Sequence, residues 1–144
     1  MSKSVLCEEK DNICLITLNE EDTRNAISPE IINELVSILE EIDNNKKISC
    51  AILTGAGKSF SSGGNLHEIN EMTENNNMSL RDIENWYRNG IQRIPMTFNK
   101  IDVPVIAAVN GHAIGAGNDL CTMCDIRIAC LLYTSDAADD LFRV

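Results

Sequence analysis

A chain of 144 residues with 44% hydrophobic and 24% charged residues has the size and balance of one folded unit with a modest buried core. Its net charge of -10 excludes general affinity for nucleic acid or an anionic membrane, because attraction to phosphate needs clustered Lys and Arg. One Trp, two Tyr and three Phe are too few for a platform on which bases stack. An anionic ligand is left with local basic spots such as Arg24, Lys58 or Lys100.

The opening MSKSVLCEEKD carries no apolar leader. The longest mainly apolar run, Ile101 to Val109, is broken by Asp102 and Pro104 and is too short to span a bilayer, so a cytoplasmic protein is expected. Ile13 to Leu18 reads as a β-branched strand that ends in the polar loop Asn19 to Asn25. Ser28 followed by Pro29 marks a helix start, and Ile31, Ile32, Leu35, Val36, Ile38, Leu39 and Ile42 form its apolar stripe up to the Asn44-Asn45-Lys46-Lys47 break. Cys50 to Leu53 is a short strand closed by Thr54-Gly55-Ala56-Gly57, and Asn65 to Met72 is a candidate short helix.

Glu74 to Met78 is polar, low in complexity and expected to be mobile. Ser79, with Asp82 three residues on, predicts a capped helix through Ile94 that is weakened at Gly90. Ile83, Trp86, Tyr87, Ile91 and Ile94 are the residues available to face inward. Pro104 to Val109 reads as a buried strand, a glycine-punctuated turn and short helix carrying Asp119 follow, and Asp125 to Ala129 is a last strand. Strands alternating with helices, without a repeat of fixed period, predict an α/β layout.

Three constellations compete for the chemistry. Gly55-x-Gly57 and Gly115-x-Gly117 follow apolar strands as a dinucleotide fingerprint requires, but its third glycine is Phe60 in one and Leu120 in the other. Cys121-x-x-Cys124 is formally a zinc or redox pair, yet no second pair completes a ligand set and His67 and His112 stand alone. Both cysteines read as core members of a short helix, and the six cysteines together read as reduced thiols packed as small hydrophobes. No metal site is expected.

The third constellation is a pair of glycine turns. At Ser61-Ser62-Gly63-Gly64-Asn65-Leu66 and at Gly115-Ala116-Gly117-Asn118, a strand or turn passes into a helix start and leaves N–H groups without intrahelical partners. Two such groups converging on one oxygen make an oxyanion hole, and the helix dipole adds positive potential. Asp119, three residues after Ala116, falls one helical turn away as a general acid or base.

The segments Arg24-Asn25-Ala26-Ile27-Ser28, Ala51 to Gly55, Lys58 to Leu66, Lys100 to Pro104, Ala108 to Leu120 and Met123 to Arg127, in this order and spacing, resemble the amino-terminal half of the crotonase superfamily, the enoyl-CoA hydratase/isomerase family. The similarity covers about residues 12 to 129. It implies a crotonase-like spiral of β-β-α units, an acyl-CoA thioester as substrate, and coenzyme A entering only as part of that substrate with no cofactor held permanently. It implies Gly64 and Ala116 as the two oxyanion donors and Asp119 as the first catalytic carboxylate. Arg24, Ala26, Ser62, Gly63, Gly64, Asn65, Leu66 and His67 match the stretches that hold the adenine and phosphates of coenzyme A. A homotrimer or hexamer is implied for the intact protein.

Asp119 stands where hydratases of the family usually carry glutamate; aspartate there is met in dienoyl-CoA isomerases. Asn65 replaces a common aspartate and His67 a common lysine. After Ala129 the resemblance stops, so residues 1–129 read as the amino-terminal part of the domain and 130–144, CLLYTSDAADDLFRV, as an aberrant tail that resembles vector read-through. Asp136, Asp139 and Asp140 in it read as a solvated acidic run. The expectation is a truncated or chimeric piece that lacks the second catalytic carboxylate and has little activity. Two alternatives are a CoA-thioester binding or assembly fragment without catalysis, and a thiol or zinc module using Cys121 and Cys124.

Overall fold

The computed structural model describes residues 3–65, 69–71 and 78–130. Strands β1 (Val5–Lys10) and β2 (Ile13–Leu18) form an antiparallel hairpin. Asp11 and Asn12 turn it with φ of 51° and 66°, the double left-handed conformation that a two-residue hairpin loop needs and that Asp and Asn tolerate. A short 3-10 turn at Glu21–Thr23 then leads to helix α1 (Pro29–Asn44). The Ser28 hydroxyl accepts from the Ile31 N–H at 3.2 Å, and Pro29 occupies the first turn, where its missing donor costs nothing.

Strands β3 (Cys50–Gly55), β5 (Val105–Val109) and β7 (Ile126–Ala129) continue the sheet in the order β1-β2-β3-β5-β7, all pairings after the first being parallel. Between them β4 (Ser59–Ser61) and β6 (His112–Ala113) make a separate two-stranded parallel sheet. Helix α2 spans Leu80–Asn89, α3 Arg93–Phe98 and α4 Ala116–Met123.

One face of the large sheet and the α1 stripe make the core. Cys14, Ile16 and Leu18 of β2, Ala51 and Leu53 of β3, and Val105, Ala107 and Val109 of β5 are buried with Ile31, Leu35, Leu39 and Ile42 of α1. Each such Leu or Ile contributes about 1.5–3 kcal/mol. Asp43, at the end of α1, accepts from the Asp102 and Val103 N–H groups at 2.7 and 3.1 Å, tying the helix to the lead-in of β5.

The helix predicted through Ile94 is two helices. Ser79 and Asp82 form the expected capping box, but the chain leaves the helix at Gly90, whose φ of -101° and ψ of -117° are not helical. Neither Trp86 nor any other residue of α2 is fully buried, and Tyr87 is exposed; of the expected inward residues only Ile94, on α3, is in the core. Strand β3 runs two residues beyond Leu53, and the strands expected from Pro104 and Asp125 start at Val105 and Ile126. Of the candidate helix 65–72, residues 69–71 are helical, while 66–68, 72 and most of the Glu74–Met78 segment lie outside the described residues. Among the described residues no helix is long and apolar enough to cross a membrane.

Candidate active site

The loop after β2 and the turn after β4 are sewn together by short polar side chains. Asn25 sits at φ 57°, fully buried, and its amide nitrogen donates to the Ala56 and Ser59 carbonyls at 3.0 Å each. Its side-chain oxygen accepts from the Glu20 N–H at 3.0 Å. The Ser61 hydroxyl donates to the Asn25 carbonyl at 2.7 Å and accepts from the Gly63 N–H at 3.2 Å. Ser62 N–H reaches the Arg24 carbonyl at 2.9 Å, the Ser62 hydroxyl reaches the Thr23 carbonyl at 2.9 Å, and Ile27 N–H reaches the Gly63 carbonyl at 2.7 Å. Arg24, Ala26, Ser62, Gly63 and Gly64 are thereby held in one small region.

The second glycine turn packs directly on the first. Ile114 N–H donates to the Ser61 carbonyl at 3.0 Å, continuing the pairing of β4 with β6. Gly63 has φ of 92°, and a methyl group on it would overlap the Ile114 carbonyl oxygen and sit 3.4 Å from the Ala116 nitrogen. On Gly117 a methyl would lie 2.6 Å from the Ser61 carbonyl. Both positions need glycine because two backbones pass within contact distance. Gly115, at φ 52°, then turns the chain into α4, whose first residue is Ala116.

Among the described residues, neither the Gly64 N–H nor the Ala116 N–H donates to a protein acceptor. Ala116 is the first residue of its helix, so its N–H is free by construction and carries the positive end of the helix dipole.

Two neighbouring cavities open beside these turns. One of about 430 Å³ is lined by Gly64, Asn65, Ile69 and the Trp86–Tyr87 face of α2. One of about 160 Å³ is lined by Ala116 and Asp119 together with Ile94, Pro95, Leu120 and Met123. Ile27 and Ile91 line both, so the two adjoin. Asp119 is the one charged residue lining the smaller cavity, and its carboxylate accepts no hydrogen bond from the described residues. It is exposed and projects from the first turn of α4, one turn beyond the Ala116 N–H.

Cys121 and Cys124 lie on the buried side of α4. Burial pushes the Cys121 thiol up to about 11 and the Cys124 thiol up to about 12, the opposite of what a metal-binding thiolate needs. Among the described residues no three His, Cys, Asp or Glu side chains are grouped to hold a metal ion. The Gly55-x-Gly57 turn leads into β4 rather than a helix, which removes the dipole a dinucleotide site requires.

Of the residues expected at the site, Leu66 and His67 lie outside the described residues. Spacing alone does not mark Asn25 and Ser61 as positioning residues, although an Asn in a polar loop is a recognisable signal for the left-handed conformation it adopts. Nor does spacing mark Asn110. Its amide donates to the Gly55 and Gly57 carbonyls at 2.8 and 3.1 Å and its oxygen accepts from Gly55 N–H at 3.2 Å, fixing the end of β5 to the end of β3 just before the second turn.

The sequence profile described as enoyl-CoA hydratase/isomerase matches residues 8–131. The chain belongs to that family. Among curated enoyl-CoA hydratase/isomerase relatives, YngF of Bacillus subtilis (strain 168) is 38% identical over 131 residues, 90% of this chain and 48% of its own length. A short-chain-enoyl-CoA hydratase of Clostridium acetobutylicum is 35% identical over 127 residues, 88% of this chain and 46% of the relative. The solved structure of Pseudomonas aeruginosa PA4980 superposes with a TM-score of 0.79 at 26% identity, covering 89% of this chain and 53% of that one. This member of the enoyl-CoA hydratase/isomerase family therefore has the expected crotonase-like α/β fold, and it spans about half the length of the curated relatives it matches.

Proposed function

We propose that the two glycine turns hold the carbonyl oxygen of an acyl-CoA thioester, and that the protein acts as an enoyl-CoA hydratase or isomerase with Asp119 as acid or base. The observation that carries this reading is the packing of the Gly63–Gly64 turn against Ala116, with two N–H groups that have no acceptor among the described residues beside a mostly apolar cleft. A thioester becomes an enolate when its α-carbon loses a proton or its β-carbon gains a nucleophile. The oxygen then carries the charge, and two fixed donors stabilise that charge more than the neutral carbonyl.

In hydration, water adds its oxygen to the β-carbon and a proton returns to the α-carbon. In isomerisation, a proton leaves one carbon and returns to another of the same chain. Asp119 serves either reaction by taking up or releasing a proton at its carboxylate; hydration also needs a second carboxylate, which the resemblance expects beyond residue 129. Coenzyme A arrives as part of the substrate, its adenine and phosphates meeting Arg24, Ala26, Ser62, Gly63, Gly64, Asn65, Leu66 and His67. No permanently bound cofactor takes part. Residues 1–129 then form the amino-terminal part of the domain, and the intact protein assembles as a trimer or hexamer.

The test compares butyryl-CoA with S-butyl-CoA, a thioether lacking only the carbonyl oxygen, by calorimetric titration. Two hydrogen bonds at about 1 kcal/mol each predict at least about tenfold tighter binding of the thioester. Equal affinities overturn the reading.

A further inference from the structure

The β1–β2 hairpin carries a second piece of chemistry, far in sequence from the glycine turns. Cys7 stands opposite Ile16 and Cys14 opposite Glu9, so the two cysteines are diagonal neighbours on the same face of the antiparallel pair. Their sulfurs lie 2.6 Å apart, closer than two non-bonded sulfurs pack. That is one short movement from the disulfide bond length of about 2.05 Å. Both are free thiols, Cys7 exposed and Cys14 buried. Cys50 is on the opposite face of the sheet, since it pairs with Ile13, while Cys121 is in α4, Cys124 is its C-cap and Cys130 follows β7. Among the described residues, Cys7 is the cysteine whose sulfur lies beside that of Cys14.

We propose that Cys7 and Cys14 are a reversible dithiol/disulfide pair, oxidised by thiol–disulfide exchange with a small-molecule disulfide and closed across the hairpin. The exposed Cys7 sulfur, as thiolate, attacks one sulfur of the small disulfide, forming a mixed disulfide and releasing one thiolate. Cys14 then loses its proton and attacks the Cys7 sulfur, the mixed bond breaks, and a second small thiolate leaves. Two protein thiols are oxidised, one small disulfide is reduced to two thiols, and the two protons end on those thiols. Burial and the neighbouring Cys7 push Cys14 up to about 12, which assigns the first attack to Cys7 and the resolving role to Cys14. The closed pair links the edge strand β1 covalently to β2, and reduction by excess thiol reopens it.

The full chain is incubated with oxidised glutathione, alkylated and digested with trypsin. Lys10 lies between the two cysteines, so peptides 4–10 and 11–24 stay together only if the bond has formed. The expected result is that joined peptide, with Cys7 and Cys14 both protected from alkylation, and separate alkylated peptides after dithiothreitol. In Cys14→Ala, Cys7 should stop at the stable glutathione mixed disulfide; in Cys7→Ala, Cys14 should stay unmodified in the folded chain. Peptides that separate in the wild-type digest overturn the proposal, whether Cys7 carries glutathione or not. So does a dimer joined between chains through Cys7 or Cys14.

Discussion

Gly63 and Ile114, from different turns, are in backbone contact: the Cα of Gly63, at φ 92°, faces the Ile114 carbonyl oxygen with no room for a methyl group between them. Gly63→Ala should therefore destabilise the protein by about 2–4 kcal/mol, combining left-handed strain with a backbone collision. Gly64→Ala should cost less than about 1 kcal/mol, since among the described residues its added methyl would meet the end of the Ile69 side chain, at 3.4 Å. Urea unfolding of the two variants checks the difference.

Ala116→Pro removes one proposed donor and sets the ring Cδ where its hydrogen pointed, leaving the helix itself intact. The residue is the first of α4, where proline fits, and its N–H has no protein acceptor among the described residues to lose. Stability should stay within about 1 kcal/mol of the parent, while turnover falls by about a hundredfold or more. Thermal unfolding and initial rates of enoyl-CoA double-bond isomerisation, which can run on one carboxylate, measure the two effects.

Asp119→Asn keeps the shape of the side chain and removes its ability to exchange a proton. Thioester binding should be nearly unchanged, with turnover reduced by about a hundredfold to ten-thousandfold. A variant whose affinity falls while its turnover persists would move Asp119 from proton transfer to binding.

These sites were unevenly legible in the sequence. Ser28, Pro29 and the stripe from Ile31 to Ile42 announce α1 because capping and period agree over sixteen residues. Strands β4 and β6, three and two residues long, have no period to read, although their pairing is what joins the two turns. Strand β1 has no readable apolar alternation because its outer half, Glu8 to Lys10, is charged, as suits an exposed edge. The break after Asn89 is masked in the sequence because Ile91 and Ile94 continue the apolar spacing past Gly90, and periodicity does not register a change of helix axis. The glycines of both turns were visible, but their mutual contact is tertiary and depends on Asn25, Ser61 and Asn110 reaching across long sequence separations.

Asn25→Ala should lose three hydrogen bonds and a left-handed conformation that Asn tolerates better than Ala. A destabilisation of about 2–4 kcal/mol is expected, with weaker CoA-thioester binding because the Arg24 loop loses its anchor to the Ser59–Ser61 strand. Denaturation and titration on the same sample check both.

Raised thiol values give a pH dependence of definite sign. Cys121 and Cys124 keep their protons in the folded chain up to about 11 and about 12, whereas unfolded thiols ionise near the ordinary value of 9.0. The unfolded state therefore binds fewer protons above that pH, and this share of stability, whole below it, is lost as pH rises towards the folded values. Cys124→Ala should flatten the alkaline decline in the urea midpoint. At about pH 8, iodoacetamide should label the exposed Cys7 and Cys130 and spare Cys121 and Cys124.

The most direct measurement uses acetoacetyl-CoA, a thioester that enolises readily and whose enolate has its own near-ultraviolet absorption. Bound beside Gly64 and Ala116, it should show an enolate band at a pH where the free ligand shows little, and Ala116→Pro should bind it without that band. An enolate fraction that is the same free and bound, or the same in the parent and in Ala116→Pro, would contradict the two-amide site.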